Sequence, residues 1–229
     1  MIEVRPSEER GPADHGWLQS RHSFSFAGYY DPKHMGVSAL RVINDDKVVA
    51  GAGFGTHSHQ DMEIISYVKK GTIEHKDSMG NVTQLPAGEF QLMTAGTGVT
   101  HSEYNPSNTD ALEFLQIWIQ PNQLGIEPGY QQKRFEPRSG LQLIASPDAG
   151  DGSLLLHQDA SLYQLWLQSG EGAIHAFTAP RTGYVHVISG AIKVNGEQLG
   201  EGDGATISDT ENVEFEAVAV SEALLFDLP

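Results

Sequence analysis

The chain of 229 residues contains no cysteine, which excludes disulfides and thiolate metal sites. It is also short of positive charge, with 14 Lys+Arg against 30 Asp+Glu and a formal net charge of −16. A surface of that sign repels a phosphate backbone, so nucleic acid is not an expected partner. A protein partner with a basic face is compatible with the charge, but no segment indicates one. No run approaches the roughly 18 apolar residues of a membrane span. The opening MIEVRPSEERG carries acids where a secretory leader would have an apolar core. These absences predict a soluble, cytoplasmic protein with no membrane partner. A long amphipathic helical pattern is lacking as well.

What the chain does have is short apolar and β-branched runs: SALRVIN, IISYVKKGTIEH, FQLMTA, LEFLQIWIQP, YVHVISGAIKVNG, VEFEAVAV and EALLFDLP. Turns drawn from 25 Gly and 11 Pro separate them, the pattern of antiparallel sandwiches or barrels. YVKKGTIEHKDSMGNVTQLPAGEF and HVISGAIKVNGEQLGEGDGATI both read strand, Gly, strand, turn, as two degenerate copies of one β-module would. Between them, PNQLGIEPGYQQKRFEPRSG reads as a linker or strap. The boundary is expected within residues 121–140, giving modules over 1–125 and 126–229.

Two short segments carry the chemistry. FGTHSHQDMEII places His57 and His59 two residues apart, and GTGVTHSEYN places His101 and Glu103 two apart. In an extended strand alternate side chains share a face, so each pair presents two donor atoms on one side. Three imidazoles and one carboxylate suit a first-row divalent metal and leave positions open for water or substrate. A closed structural site would more often use cysteine. The other seven histidines, His15, His22, His34, His75, His157, His175 and His186, are read as surface groups or hydrogen-bonded core groups.

The surroundings of these pairs resemble the cupin superfamily. Gly51, five residues, then His57-x-His59-x₃-Glu63 is similar to its first motif, with seven residues before Gly71 where six are usual; Gly80, five residues, then Pro86-x-Gly88 is similar to its second. The second motif departs in placing His101 thirteen residues after Gly88. That departure, MTAGTGVTHSE after PAGEFQ, together with HSFSFAGYYDP near the start, is similar to the pirin family of bicupins, in particular its bacterial quercetin 2,3-dioxygenase-like members. The resemblance is strongest over residues 15–120.

The resemblance implies an all-β bicupin of two antiparallel barrel or jelly-roll modules, with one metal per chain on His57, His59, His101 and Glu103. Iron(II) is the ion it implies, while the donor set also accommodates Ni, Cu, Co, Mn or Zn. Glu63 is the rival fourth ligand, since the general cupin pattern takes its glutamate there; Glu103 is preferred, with Glu63 as an acid that orients a ligand ring. No H-x-H or H-x-E stands between Gly183 and Pro229, so the second module is expected to hold no metal and to complete the core, with Phe215, Leu225 and Phe226 buried. The implied activity is ring-opening dioxygenation of a flavonol such as quercetin, with O2 as co-substrate, release of carbon monoxide and Glu103 as base. Phe54, Gln91, Met93 and Trp118 are expected either in the pocket wall or in the core. The alternative is a regulatory or redox-sensing protein that keeps the metal without turning over a flavonol.

Overall fold

A computed structural model describes residues 1–178 and 180–229. Among them there is no α-helix, only two single-turn 3₁₀ segments at Ser7–Glu9 and Gly150–Gly152, and no helix is long and apolar enough to cross a membrane. The architecture is all-β, as expected, and the chain divides into two compact units.

The first unit comprises residues 11–36 and 40–135. Its strands are β2 (Gly11–Asp14), β3 (Leu18–His22), β4 (Leu40–Val48), β5 (Gly53–His59), β6 (Glu63–Lys70), β7 (Thr72–Asp77), β8 (Val82–Pro86), β9 (Glu89–Thr94), β10 (Val99–Tyr104), β11 (Leu112–Ile119) and β12 (Gly129–Arg134); β1 (Ile2–Arg5) belongs to the other unit. They form a seven-stranded sheet, β12-β9-β6-β11-β4-β3-β2, and a four-stranded sheet, β5-β10-β7-β8.

The second unit comprises residues 1–10, 37–39 and 136–229. It adds to β1 the strands β13 (Gly140–Ser146), β14 (Leu154–Leu155), β15 (Ser161–Leu167), β16 (Gly172–Ala176), β17 (Thr182–Ser189), β18 (Ala191–Val194), β19 (Glu197–Gly200), β20 (Gly204–Ile207), β21 (Asn212–Ala217) and β22 (Ser221–Leu228). Again there is a sheet of seven, β1-β20-β17-β22-β15-β13-β14, and one of four, β16-β21-β18-β19. The repeat read in the sequence is therefore structural. β6 passes to β7 through Gly71 at φ +84° and β17 to β18 through Gly190 at φ +79°, a left-handed conformation that only glycine adopts without cost. Phe215, Leu225 and Phe226 are buried as expected.

Strand alternation layers the interior of the first unit. Leu18, Val48, Val68, Ile73, Leu85, Leu112 and Phe114 make an apolar floor. Ile64, Met93, Ala95 and Val99, with Met62 and Trp118 against them, line the other end. Between the two lies a polar row running directly across the large sheet: Gln132 opposite Gln91, then Ser66, Gln116, Asn44 and His22. Opposed residues in adjacent strands share a face, so these six side chains point the same way.

The stretch 121–140, expected as a linker or strap, contains a strand. Its residues Gly129–Arg134 pair with β9 along the edge of the large sheet, and Tyr130 bonds inward to Thr83 at 2.8 Å and Gln91 at 3.3 Å. The polar, non-alternating GYQQKR hides the strand because its inward side chains serve the polar row and not the apolar core.

Candidate metal centre

All the expected ligand residues lie on the small sheet of the first unit. β10 is central, flanked by β5 and β7. His101 stands opposite His57 on one side and Asp77 on the other; Glu103 stands opposite Phe54 and His75. Between His101 and Glu103 the β5 register slips by one residue. The bulge at Gly55 and Thr56 sends both of those residues outward, and lets His57, His59 and Phe54 all point inward. Phe54 thereby joins the apolar floor, edge-on to Trp17 at 5.1 Å and Phe114 at 6.4 Å. The same close packing accounts for Gly53, where an added Cβ would sit 2.3 Å from Glu103 O and 2.5 Å from Tyr104 Cα. Gly53→Ala should push β5 off β10 and cost about 1–3 kcal/mol, read as a lowered Tm together with weakened metal binding.

The three histidines converge. Their ring centroids are 4.4–4.9 Å apart, and one ligand nitrogen from each lies within 4.8 Å of the others. His57 Nδ1 is 2.8 Å from Gly55 O; a carbonyl only accepts, so the proton is on Nδ1 and the lone pair on Nε2. His59 Nε2 and His101 Nε2 are 3.0 Å apart. Two nitrogens each about 2.1 Å from a shared ion and at right angles around it would be about 3.0 Å apart. Burial first, then the neighbouring His57, lowers the His59 pKa to about 4. Burial first, then His57, His59 and His75, lowers that of His101 to about 3. Neutral imidazoles with convergent lone pairs are the form a metal takes, so the donor set fits a transition-metal ion.

Glu103 does not join this trio. Among the described residues it forms a second group with His101 and His75, again within 4.8 Å. Its carboxyl is buried, accepting from Ser66 Oγ at 3.3 Å and Gln116 Nε2 at 3.4 Å. Burial, with Asp46 nearby, pushes its pKa up to about 7 against those two bonds. Glu63 is in neither group; it is buried on β6 and accepts from Thr94 Oγ1 at 3.1 Å. His75, read from sequence as an ordinary histidine, is wholly buried and hydrogen-bonded through Nε2 to Asp77 at 2.9 Å. The signal was present as His75-x-Asp77, the same two-residue spacing as the other pairs.

The raised pKa of Glu103 has a measurable consequence. Folded, the group keeps its proton up to about pH 7; unfolded, only to about 4.5. Its contribution to stability is present below pH 4.5 and lost as pH rises through 7, roughly 3 kcal/mol in all. His59 and His101 are shifted down, so theirs is present above about 6.5 and lost as pH falls through about 4 and 3. Between about pH 4.5 and 6.5 the two histidines outweigh Glu103, so the Tm of the metal-free protein should rise with pH over that range, and Glu103→Gln should steepen the rise.

Trp118 closes one side of the centre, its ring 5.0 Å from His59 and 5.3 Å from Phe26. Beside His59 opens a groove of about 470 Å³ lined by Ser58, Gln60, Ser78, Gly98, Val99 and Thr100. Gln91 and Met93 are fully buried, one in the polar row and one in the apolar cluster at the same end as Trp118.

The Pirin family profile matches residues 3–119. The chain belongs to the pirin family. In this pirin, residues 143–228 further match the profile of the quercetinase C-terminal cupin domain. A quercetin 2,3-dioxygenase from Escherichia coli K12 is 55% identical over 229 residues, covering 100% of this chain and 99% of the relative. A pirin-like protein from Caulobacter vibrioides is 41% identical, covering 99% of each. Among solved structures, the bacterial pirin YhhW of Escherichia coli in complex with nickel(II) superposes with a TM-score of 0.98 at 55% identity, covering 100% of this chain and 99% of that one.

Proposed function

We infer that this pirin binds one divalent transition metal through His57, His59, His101 and Glu103, and opens the heterocyclic ring of a flavonol with O2, releasing carbon monoxide. The observation that carries the reading is the convergence of three imidazoles beside a buried carboxyl that shares a group with His101. The quercetin dioxygenase name of the 55% identical relative supports the substrate class. The nickel in YhhW supports a transition metal, and iron(II) is the ion we expect in this chain.

A bound divalent ion supplies Lewis acidity that lowers the pKa of a flavonol 3-hydroxyl, as it does for water. The remaining work falls to side chains. Glu103, buried beside the histidines, takes the 3-hydroxyl proton as general base. Ser66 and Gln116 hold its two oxygens, which keeps the base aimed while its charge changes. Trp118 offers a flat face against the planar substrate, and the groove beside His59 gives entry. The reaction is complete in its own atoms: both oxygens of O2 enter the carboxylic ester product, and one ring carbon leaves as carbon monoxide.

The test is aerobic incubation of the iron(II)-loaded protein with quercetin, following loss of visible absorbance and carbon monoxide formed, beside elemental analysis. About one metal per chain and stoichiometric carbon monoxide are expected. Metal uptake without carbon monoxide would favour the regulatory reading, and two metals per chain would break the four-ligand assignment.

A further inference from the structure

His75 and Asp77 stand outside the four-ligand set and yet face it. Asp77 is held from several directions. Its Oδ1 accepts the backbone N–H of Met79 at 2.9 Å and of Asn81 at 3.0 Å; its Oδ2 accepts Asn81 Nδ2 at 2.8 Å and lies 2.9 Å from His75 Nε2. A carboxylate only accepts, so the His75 proton belongs on Nε2 and Nδ1 keeps a lone pair. That Nδ1 is buried and has no hydrogen-bond partner, on a side chain that is 0% exposed.

His101 shows the complementary deficiency. Its Nε2 is turned to the metal side, 3.0 Å from His59 Nε2, so as a ligand it carries its proton on Nδ1. That nitrogen too is buried without a partner. An unmatched donor and an unmatched acceptor therefore lie on neighbouring buried rings. The two rings lie 5.4 Å apart at 52°, and the donor atoms of His75, His101 and Glu103 are within 4.8 Å of one another. Buried polar groups in folded proteins are paired, directly or through ordered water.

The geometry points to an Asp77–His75–His101 chain in which His75 Nδ1 accepts the His101 Nδ1–H, directly or across one water, and fixes the ligand ring in its metal-binding tautomer and orientation. The inference rests on the reading of His101 as a ligand. It makes His75 a positioning residue: it touches neither metal nor substrate, and acts through the ring it holds. Metal-bound imidazoles generally donate their second N–H to such a partner, and removing the partner weakens metal binding by about 10–100-fold. In this chain no carboxylate or carbonyl bonds His101 Nδ1, and an imidazole anchored on a carboxylate takes that place.

The experiment uses zinc(II), which is diamagnetic, with the full chain. Affinity is read by chelator competition, and the state of His101 by nitrogen NMR of protein labelled with ¹⁵N-histidine. His75→Leu should bind zinc about 10–100-fold more weakly and lose the protected Nδ1–H signal of His101. His75→Gln, whose amide oxygen can still accept, should recover most of the affinity. Asp77→Asn, which leaves the imidazole in place, should cost about tenfold, and this variant decides the matter if His75→Leu does not fold. Zinc affinity and an Nδ1–H signal unchanged in all three variants would overturn the chain. So would a second zinc in the wild type that His75→Leu removes, since His75 would then be a ligand itself. His101→Ala separates the premises: affinity undiminished in that variant sinks the four-ligand reading, whereas loss there with no effect at His75 sinks only the positioning role.

Discussion

Glu103→Ala is expected to abolish quercetin cleavage and to weaken metal binding, because on the proposed four-ligand reading one substitution removes both a ligand and the base. General bases contribute about 10²–10⁴-fold, and the loss of a carboxylate ligand comes on top. The control is Glu63→Ala. Glu63 is equally buried and lies where the general cupin pattern would place the fourth ligand, but it accepts from Thr94 and shares no group with the histidines. Its removal should cost no more than about 10–100-fold. Glu103→Gln refines the comparison, since an amide keeps the shape between Ser66 and Gln116 but cannot take a proton; it should retain more metal than Glu103→Ala and still fail to turn over. The measurements are initial rates of quercetin loss and metal content after dialysis. A more severe loss at Glu63 than at Glu103 would transfer the fourth-ligand role to Glu63.

His59→Ala should give a folded, soluble protein without flavonol cleavage. The floor of the module closes without the metal, through Val68, Ile73, Leu85 and Phe114, and His59 itself is only half-buried on β5. Stability should drop mainly by the lost binding contribution, RT ln(1 + [metal]/Kd), about 2.7 kcal/mol at a metal concentration 100 times Kd. Circular dichroism and Tm beside quercetin loss, at matched metal, read both effects. An unfolded variant would make the centre structural, in the manner of a zinc finger. A folded variant with undiminished activity would show that the THSH pair is not where the chemistry happens.

Both arguments use residues that could be found in the sequence, and the reason is local. His57 and His59, like His101 and Glu103, fall on one face by the alternation of a single strand, so spacing alone pairs them. The core residues Ile64, Tyr67, Phe90, Leu92, Phe114 and Ile117 are all buried, but they divide between the two faces of the large sheet. Ile64 and Phe114 share the side of Ser66 and Gln116; the other four are on the reverse. What sequence reading missed depends on register between strands distant in the chain. His75 becomes part of the centre only because β7 lies against β10 with His75 opposite Glu103. The inward turn of Phe54 needs the β5 bulge, and the strand at 129–134 is recognisable only once its glutamine and tyrosine have a polar row to join.

The placement of β1 bears on the order in which the protein can be completed as it leaves the ribosome. Ile2–Arg5 pair with β20 at Gly204–Ile207, and the Met1 amine reaches Ser208 O, so β1 waits for a strand far later in the chain before one of its edges is covered. Residues 11–135 have all their own strands long before that and can fold while the rest is still being made, since domains generally fold as units during synthesis. The unit of residues 11–36 and 40–135 is in this sense a finished insertion within a module whose β1 and β20 meet late. An uncovered β1 edge during that interval is a site for wrong pairing, so slowing translation beyond residue 135 should raise aggregation more than slowing it before.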